Sequence, residues 1–121
     1  MSVVDDELDI MSLFRDALSQ IEGVQVFGFT DSTLALEHFE LNQSAYNLIL
    51  SDFRITIMDE IELLKTVKAM KPSVKTLLIS AFEVKDFDES NCVDAILQKP
   101  ITIPDLIDEV ETQISTSHSA S

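Results

Sequence analysis

The chain has 121 residues, 45% of them hydrophobic, enough for one packed domain. Twenty-two acidic residues against eight basic ones give a formal net charge of -14, which argues against nucleic acid and anionic membranes as partners, since both call for clustered lysine and arginine. Cys92 is the only cysteine, no run approaches a membrane span, and the start carries no signal-peptide pattern, so a cytoplasmic protein without an intrachain disulfide is expected.

Strand and helix patterns alternate along the chain. Val3-Val4 is a short first strand, and Leu8, Met11, Phe14, Leu18 and Ile21 follow at helical spacing, with Gly23 suited to the helix end. Val24 to Phe29 reads as a second strand. Asp31 or Ser32 can cap a helix carrying Leu34, Ala35 and Phe39. Asn47 to Ser51 is a third strand. Ile61, Leu64, Val67 and Met70 mark a helix that stops before Pro72. Thr76 to Ser80 is a fourth strand, and a weakly patterned segment runs from Glu83 to Ser90. Val93 to Leu97 is a fifth strand. Ile103, Leu106, Ile107, Val110 and Ile114 mark a last helix with Pro104 in its first turn. Ser115 to Ser121 is small and polar and is expected to fray; the domain is placed at 1–116, with 117–121 a polar tail. A (βα)5 order with right-handed crossovers predicts an α/β fold with a doubly wound parallel sheet.

Three of the apolar runs end abruptly at charge: Val3-Val4 at Asp5-Asp6-Glu7, Leu48-Ile49-Leu50-Ser51 at Asp52, and Ala95-Ile96-Leu97-Gln98 at Lys99-Pro100. In an open parallel sheet the carboxyl ends of neighbouring strands share one edge, and ligands bind there. Asp5, Asp6 and Asp52 are therefore expected to converge, with Lys99 close by. Carboxylates so gathered repel unless a cation joins them, and all-oxygen ligation suits a hard ion such as Mg2+. The plainer readings are a helix cap for Asp5, an ordinary loop residue for Asp52, and local backbone satisfaction for Ser80. Asp59, Glu60 and Glu62 read as first-turn acids that suit a helix dipole. His38 and His118 have no Cys or His at ligand spacing. Neither of the two glycines lies in a phosphate-cradling loop, which disfavours nucleotide-loop chemistry.

These motifs resemble the receiver domains of two-component response regulators over essentially the whole chain. Val3-Val4-Asp5-Asp6-Glu7 resembles the family's metal-site motif. The stretch from Asp52 through Phe53-Arg54 to Leu64 resembles its phosphoacceptor loop and third helix. Ile79-Ser80-Ala81 resembles its hydroxyl switch, and Gln98-Lys99-Pro100 its lysine-proline step. The resemblance implies a flavodoxin-like (CheY-like) sheet in the order 2-1-3-4-5 with five helices. It implies that Asp52 takes a phosphoryl group from a phosphohistidine. Asp6, Asp52 and the backbone carbonyl of Arg54 would bind Mg2+ directly, and Asp5 through a water. Lys99 would pair with phosphoryl oxygens, Ser80 would hydrogen-bond the phosphoryl group, and Lys99-Pro100 would be cis.

The sequence departs from the family pattern in four places. Only two residues precede Val3, so the first strand is expected to be short. Thr56 replaces the usual proline and Glu60 the usual glycine, which loosens the loop and sets a carboxylate near the cation. The segment between Ala81 and Ile96 is short, with Cys92 where glycine is usual, so its helix (the family's fourth) is expected to be short, displaced or absent. Ile96 stands in the place of the aromatic switch residue.

The expected function is a receiver that is phosphorylated by a sensor histidine kinase or phosphotransfer protein, with Mg2+, and catalyses at most its own phosphorylation and dephosphorylation. No output domain follows in this sequence, so it is expected to act by binding a downstream protein or by shuttling phosphoryl groups. A homodimer through the fourth-helix, fifth-strand and fifth-helix face is a further expectation. The rival is a degenerate receiver that serves as a phosphorylation-independent interaction module. A small Mg2+-dependent phosphatase ranks below both, because Arg54 stands where that chemistry wants a second aspartate.

Overall fold

The computed structural model describes residues 1–53, 57–80 and 92–119, with the side chains of 53, 57–61 and 116–119 excepted. Five parallel strands form one sheet in the order β2-β1-β3-β4-β5: β1 (Ser2–Val4), β2 (Phe27–Phe29), β3 (Leu48–Phe53), β4 (Lys75–Ser80) and β5 (Ala95–Gln98). Helices α1 (Leu8–Leu18), α2 (Ser32–Leu41), α3 (Ile57–Met70) and α4 (Ile103–Ser119) are the four among the described residues, with a short 3-10 turn at Gln43–Ala45. The expected sheet order is thus observed. The expectation of a short or absent helix before β5 falls on residues 81–91, which lie outside the described residues.

Period-2 alternation along the strands builds two cores, one on each face of the sheet. Val3, Leu48, Leu50, Leu77 and Ile79 pack with Met11, Phe14 and Leu18 of α1 and Leu106 and Val110 of α4. Val4, Ile49 and Leu78 pack with Ala35 and Phe39 of α2 and with Leu63, Leu64 and Val67 of α3. Cys92 is buried in this second core, and Ile96 packs against it.

Several boundaries differ from the sequence reading. β2 begins at Phe27 rather than Val24, because the register sets Phe27 opposite Ser2, where β1 begins. α1 ends at Leu18, and Gly23 serves instead in the following turn, with a φ of +80° that other residues rarely adopt. Leu8 and Leu34, expected on apolar faces, are exposed: Leu8 opens α1 beyond the strand end, and α2 packs through Ala35 and Phe39. Asp31, not Ser32, caps α2, accepting the Thr33 N–H at 2.7 Å. β5 is shifted to Ala95–Gln98, since Asp94 is engaged with Thr76 before the ladder begins. α4 continues to Ser119, so residues 117–119 of the expected tail are helical.

Candidate functional site

β1 has β2 on one side and β3 on the other, so the strand order reverses there and opens a crevice at the carboxyl ends of β1 and β3. The register pairs Val4 with Ser51, which brings Asp5 and Asp52 side by side, one residue further along. The Asp5 N–H donates to Phe29 O at 3.0 Å, carrying the ladder one step beyond β1. The alternation that turns Val3, Leu48 and Leu50 toward α1 and α4 also places Asp5 and Asp52 on that face. Two apolar strands thus deliver two carboxylates to one point.

Both are buried. Asp5 is fully buried, and its Oδ1 accepts the Glu7 N–H at 2.8 Å, which ties it to the entry of α1. Asp5 does not cap α1, however: the N-cap is Glu7, with no side-chain cap bond, so the helix-cap alternative is not what Asp5 does. Asp52 is only 2% exposed. Its Oδ1 lies 2.8 Å from Lys99 Nζ, but that ion-pair contact lacks hydrogen-bond direction, and neither Asp52 oxygen accepts a formed hydrogen bond among the described residues. A buried carboxylate so thinly partnered is costly, by about 1–3 kcal/mol for each unmet acceptor.

Lys99 reaches Asp52 from the far side of the crevice. β4 pairs Ser80 with Gln98, and the Lys99 N–H donates to Ser80 O at 2.7 Å, so the lysine follows directly on the sheet edge. The Lys99–Pro100 peptide bond is cis, as expected. Ser80 is fully buried at the end of β4, level with Phe53, the residue after Asp52. Asp6 is exposed at the mouth of the crevice. The structure therefore brings Asp5, Asp52, Lys99 and Ser80 to one sheet edge with Asp6 beside them. Among the described residues, no group of three or more His, Cys, Asp or Glu side chains is close enough to hold a metal by itself. Arg54, with its expected carbonyl ligand, the substituted Thr56 and the side chain of Glu60 lie outside the described residues.

The sequence reading missed a polar staple at the opposite end of β4. Lys68 Nζ donates to Val74 O at 2.7 Å and to Asp94 Oδ2 at 2.5 Å. Asp94 Oδ2 also accepts the Thr76 N–H at 2.8 Å. Burial pushes the Asp94 carboxyl up, but Lys68, the Thr76 N–H and Lys75 together outweigh it and hold it below its ordinary value. Helical spacing marks Lys68 as a surface residue, and no local signal pairs it with an aspartate so far along the chain.

A sheet of this order, with an aspartate at its switch point and a lysine across the crevice, defines a receiver fold. The chain belongs to the response regulator receiver domain family, which matches residues 1–111. It is 29% identical to sporulation initiation phosphotransferase F of Bacillus subtilis over 112 residues, covering 90% of this chain and 88% of that protein. It is 27% identical to the response regulator receiver protein CpdR of Brucella abortus, covering 93% of each. It is 29% identical to the transcriptional regulatory protein ZraR of Escherichia coli over 97% of this chain, which spans only 26% of ZraR. In fold it matches a CheY-like receiver domain from Methanospirillum hungatei with a TM-score of 0.86, at 22% identity and over 99% of this chain and 96% of the other. Among the described residues, no helix is long and apolar enough to cross a membrane.

Proposed function

We propose that Asp52 is the phosphoacceptor of this receiver and that it is phosphorylated by a histidine kinase or phosphotransfer protein. The observation that carries this is the buried Asp52 carboxylate at the switch point, contacted by Lys99 and otherwise without a hydrogen bond among the described residues. An Asp52 oxygen attacks the phosphorus of a phosphohistidine, and the O–P bond forms as the N–P bond breaks. The electron pair stays with the imidazole nitrogen, which is then protonated.

The donor set suits a hard divalent cation. Oxygen ligands from Asp6, Asp52 and the Arg54 carbonyl would hold Mg2+, and that set does not require a cluster of three carboxylates. Bound there, Mg2+ supplies the positive charge that offsets repulsion between the carboxylate and an incoming phosphoryl group. Asp5, its Oδ1 already committed to the Glu7 N–H, suits a role through water. Lys99 holds a phosphoryl oxygen as a point charge, and Ser80 donates a hydrogen bond to another. The domain then signals through contact with another protein, or passes the phosphoryl group on.

The test is the intact mass after incubation with acetyl phosphate, with and without Mg2+, beside Asp52→Asn. One added phosphoryl group that needs both Mg2+ and Asp52 is the expected result. Failure to phosphorylate, with acetyl phosphate and with every histidine kinase tried, would turn the reading to the phosphorylation-independent interaction module.

A further inference from the structure

A second feature lies at the opposite edge of the sheet, where Met1, Gln25 and Asn47 lead into β1, β2 and β3. There the chain encloses a cavity of about 310 Å3 between β2, α2 and the turn after it. Its walls include the rings of Phe27 and His38, with centroids 4.4 Å apart, and Tyr46, whose hydroxyl meets His38 Nδ1 at 2.7 Å. His38, unremarkable in the sequence, thus sits among aromatic rings, with Phe29 also 5.4 Å away.

The lining lacks the acidic and basic side chains common elsewhere in the chain. A quarter of the residues are charged, yet no Asp, Glu, Lys or Arg side chain faces the cavity. The Met1 amino group, at the cavity wall, donates to Gln25 O at 3.0 Å, and burial pushes it down to about 6, so it carries little charge at neutral pH. With no fixed cation in the wall and a net charge of -14, an anionic ligand is disfavoured.

Two side-chain amides in the wall, those of Asn42 and Asn47, can each donate and accept. Asn42 Nδ2 donates to His38 O at 2.8 Å, leaving its Oδ1 to accept. The Asn47 side-chain amide makes no hydrogen bond among the described residues, so it offers both a donor and an acceptor. Paired amide donors and acceptors match the edges of nucleobases, and flat aromatic walls stack on their faces for roughly 1–3 kcal/mol per base. The volume lies at the small end of ligand cavities, which run from about 300 Å3.

We propose that this cavity binds a small neutral planar heterocycle of the nucleobase type, stacked against Phe27 and His38 and held at its edge by the amides of Asn47 and Asn42. The inference is independent of phosphorylation at Asp52, which lies at the other end of β3. Tyr46 is the only tyrosine and the chain has no tryptophan, so the ring signals of a single tyrosine report on this cavity. The experiment titrates the chain with adenine and uracil, with indole and adenosine monophosphate as comparators, and follows the Tyr46 ring by NMR.

The expected result is a saturable shift with adenine or uracil, weakened roughly fivefold in Asn47→Ala by loss of one hydrogen bond. Indole, which lacks the paired edge, and the anionic nucleotide bind less well. No saturable shift with either base overturns the proposal. Indole binding as tightly as the bases, the nucleotide binding more tightly, or an unchanged affinity in Asn47→Ala overturns it as well.

Discussion

Lys99 and Asp52 form the pair on which the site turns, and the two residues carry opposite liabilities. Asp52 is a carboxylate buried by its strand neighbours, while Lys99 is about a quarter exposed and is its cationic partner among the described residues. Asp52→Asn removes the proposed nucleophile but keeps the shape, so the fold is expected to persist and phosphoryl addition, read by intact mass, to disappear. Lys99→Ala leaves the carboxylate buried without its ion pair. It lowers stability in urea unfolding by about 1–3 kcal/mol in Mg2+-free buffer. Because a bound cation replaces part of the missing charge, the deficit narrows when Mg2+ is added. The proposed Mg2+ ligands remain in this variant, so metal binding is expected to survive while the lifetime of the phosphorylated form changes. A deficit that is the same with and without Mg2+, together with an unchanged phosphoryl lifetime, would remove Lys99 from its assigned role.

At the scale of elements, β2 shows why α1 packs as closely as it does. A Cβ built on Gly28 would stand 2.2 Å from Met11 Sδ, which is buried beneath α1. Gly28→Ala therefore displaces the flexible Met11 thioether, at a cost of about 1 kcal/mol or less, and the cost shrinks in a Met11→Ala background. A double-mutant cycle by urea unfolding measures that coupling, and strict additivity would refute it. The staple between α3 and β5 makes a pH-dependent contribution. The Asp94 carboxyl is held below its ordinary value of 3.8 in the folded chain. Its stabilisation is therefore complete above that value and is lost as pH falls through the lower folded value. The stability gap between the unmodified chain and Asp94→Asn is expected to be flat near neutrality and to close in acid. These elements also mark what the sequence made legible. Strand ends at Asp5, Asp52 and Lys99 could be read because an apolar run halted by charge is a local signal, and the sheet order followed from the βα alternation and the resemblance. The start of β2 depends on its partner in β1, and Asp94 pairs with Lys68 across a fold that no local pattern encodes. The exposure of Leu8 likewise depends on where the sheet ends, although its spacing is that of a core residue.

For the whole molecule, two electrostatic effects have to be separated. A net charge of -14 makes the folded chain repel itself, so any salt that screens this charge raises stability. The cation proposed for Asp6 and Asp52, with Asp5 acting through water, would act differently, because it would bind the folded arrangement and not the unfolded chain. Its effect follows mass action, about 2.7 kcal/mol at a concentration one hundred times the dissociation constant. The sheet creates that distinction, since β1 and β3 are neighbours only when folded and their carboxylates lie far apart in sequence. Thermal unfolding at fixed ionic strength, exchanging NaCl for MgCl2, separates the two. The midpoint is expected to rise with Mg2+ and saturate, and the saturable part is expected to vanish in Asp52→Asn, which lacks one proposed ligand. NaCl alone raises the midpoint similarly in both chains, because screening depends on total charge rather than on one residue. If Mg2+ and NaCl of equal ionic strength are equivalent in the unmodified chain, the acidic crevice is only a charged surface, and the phosphoryl chemistry proposed for it loses its cation.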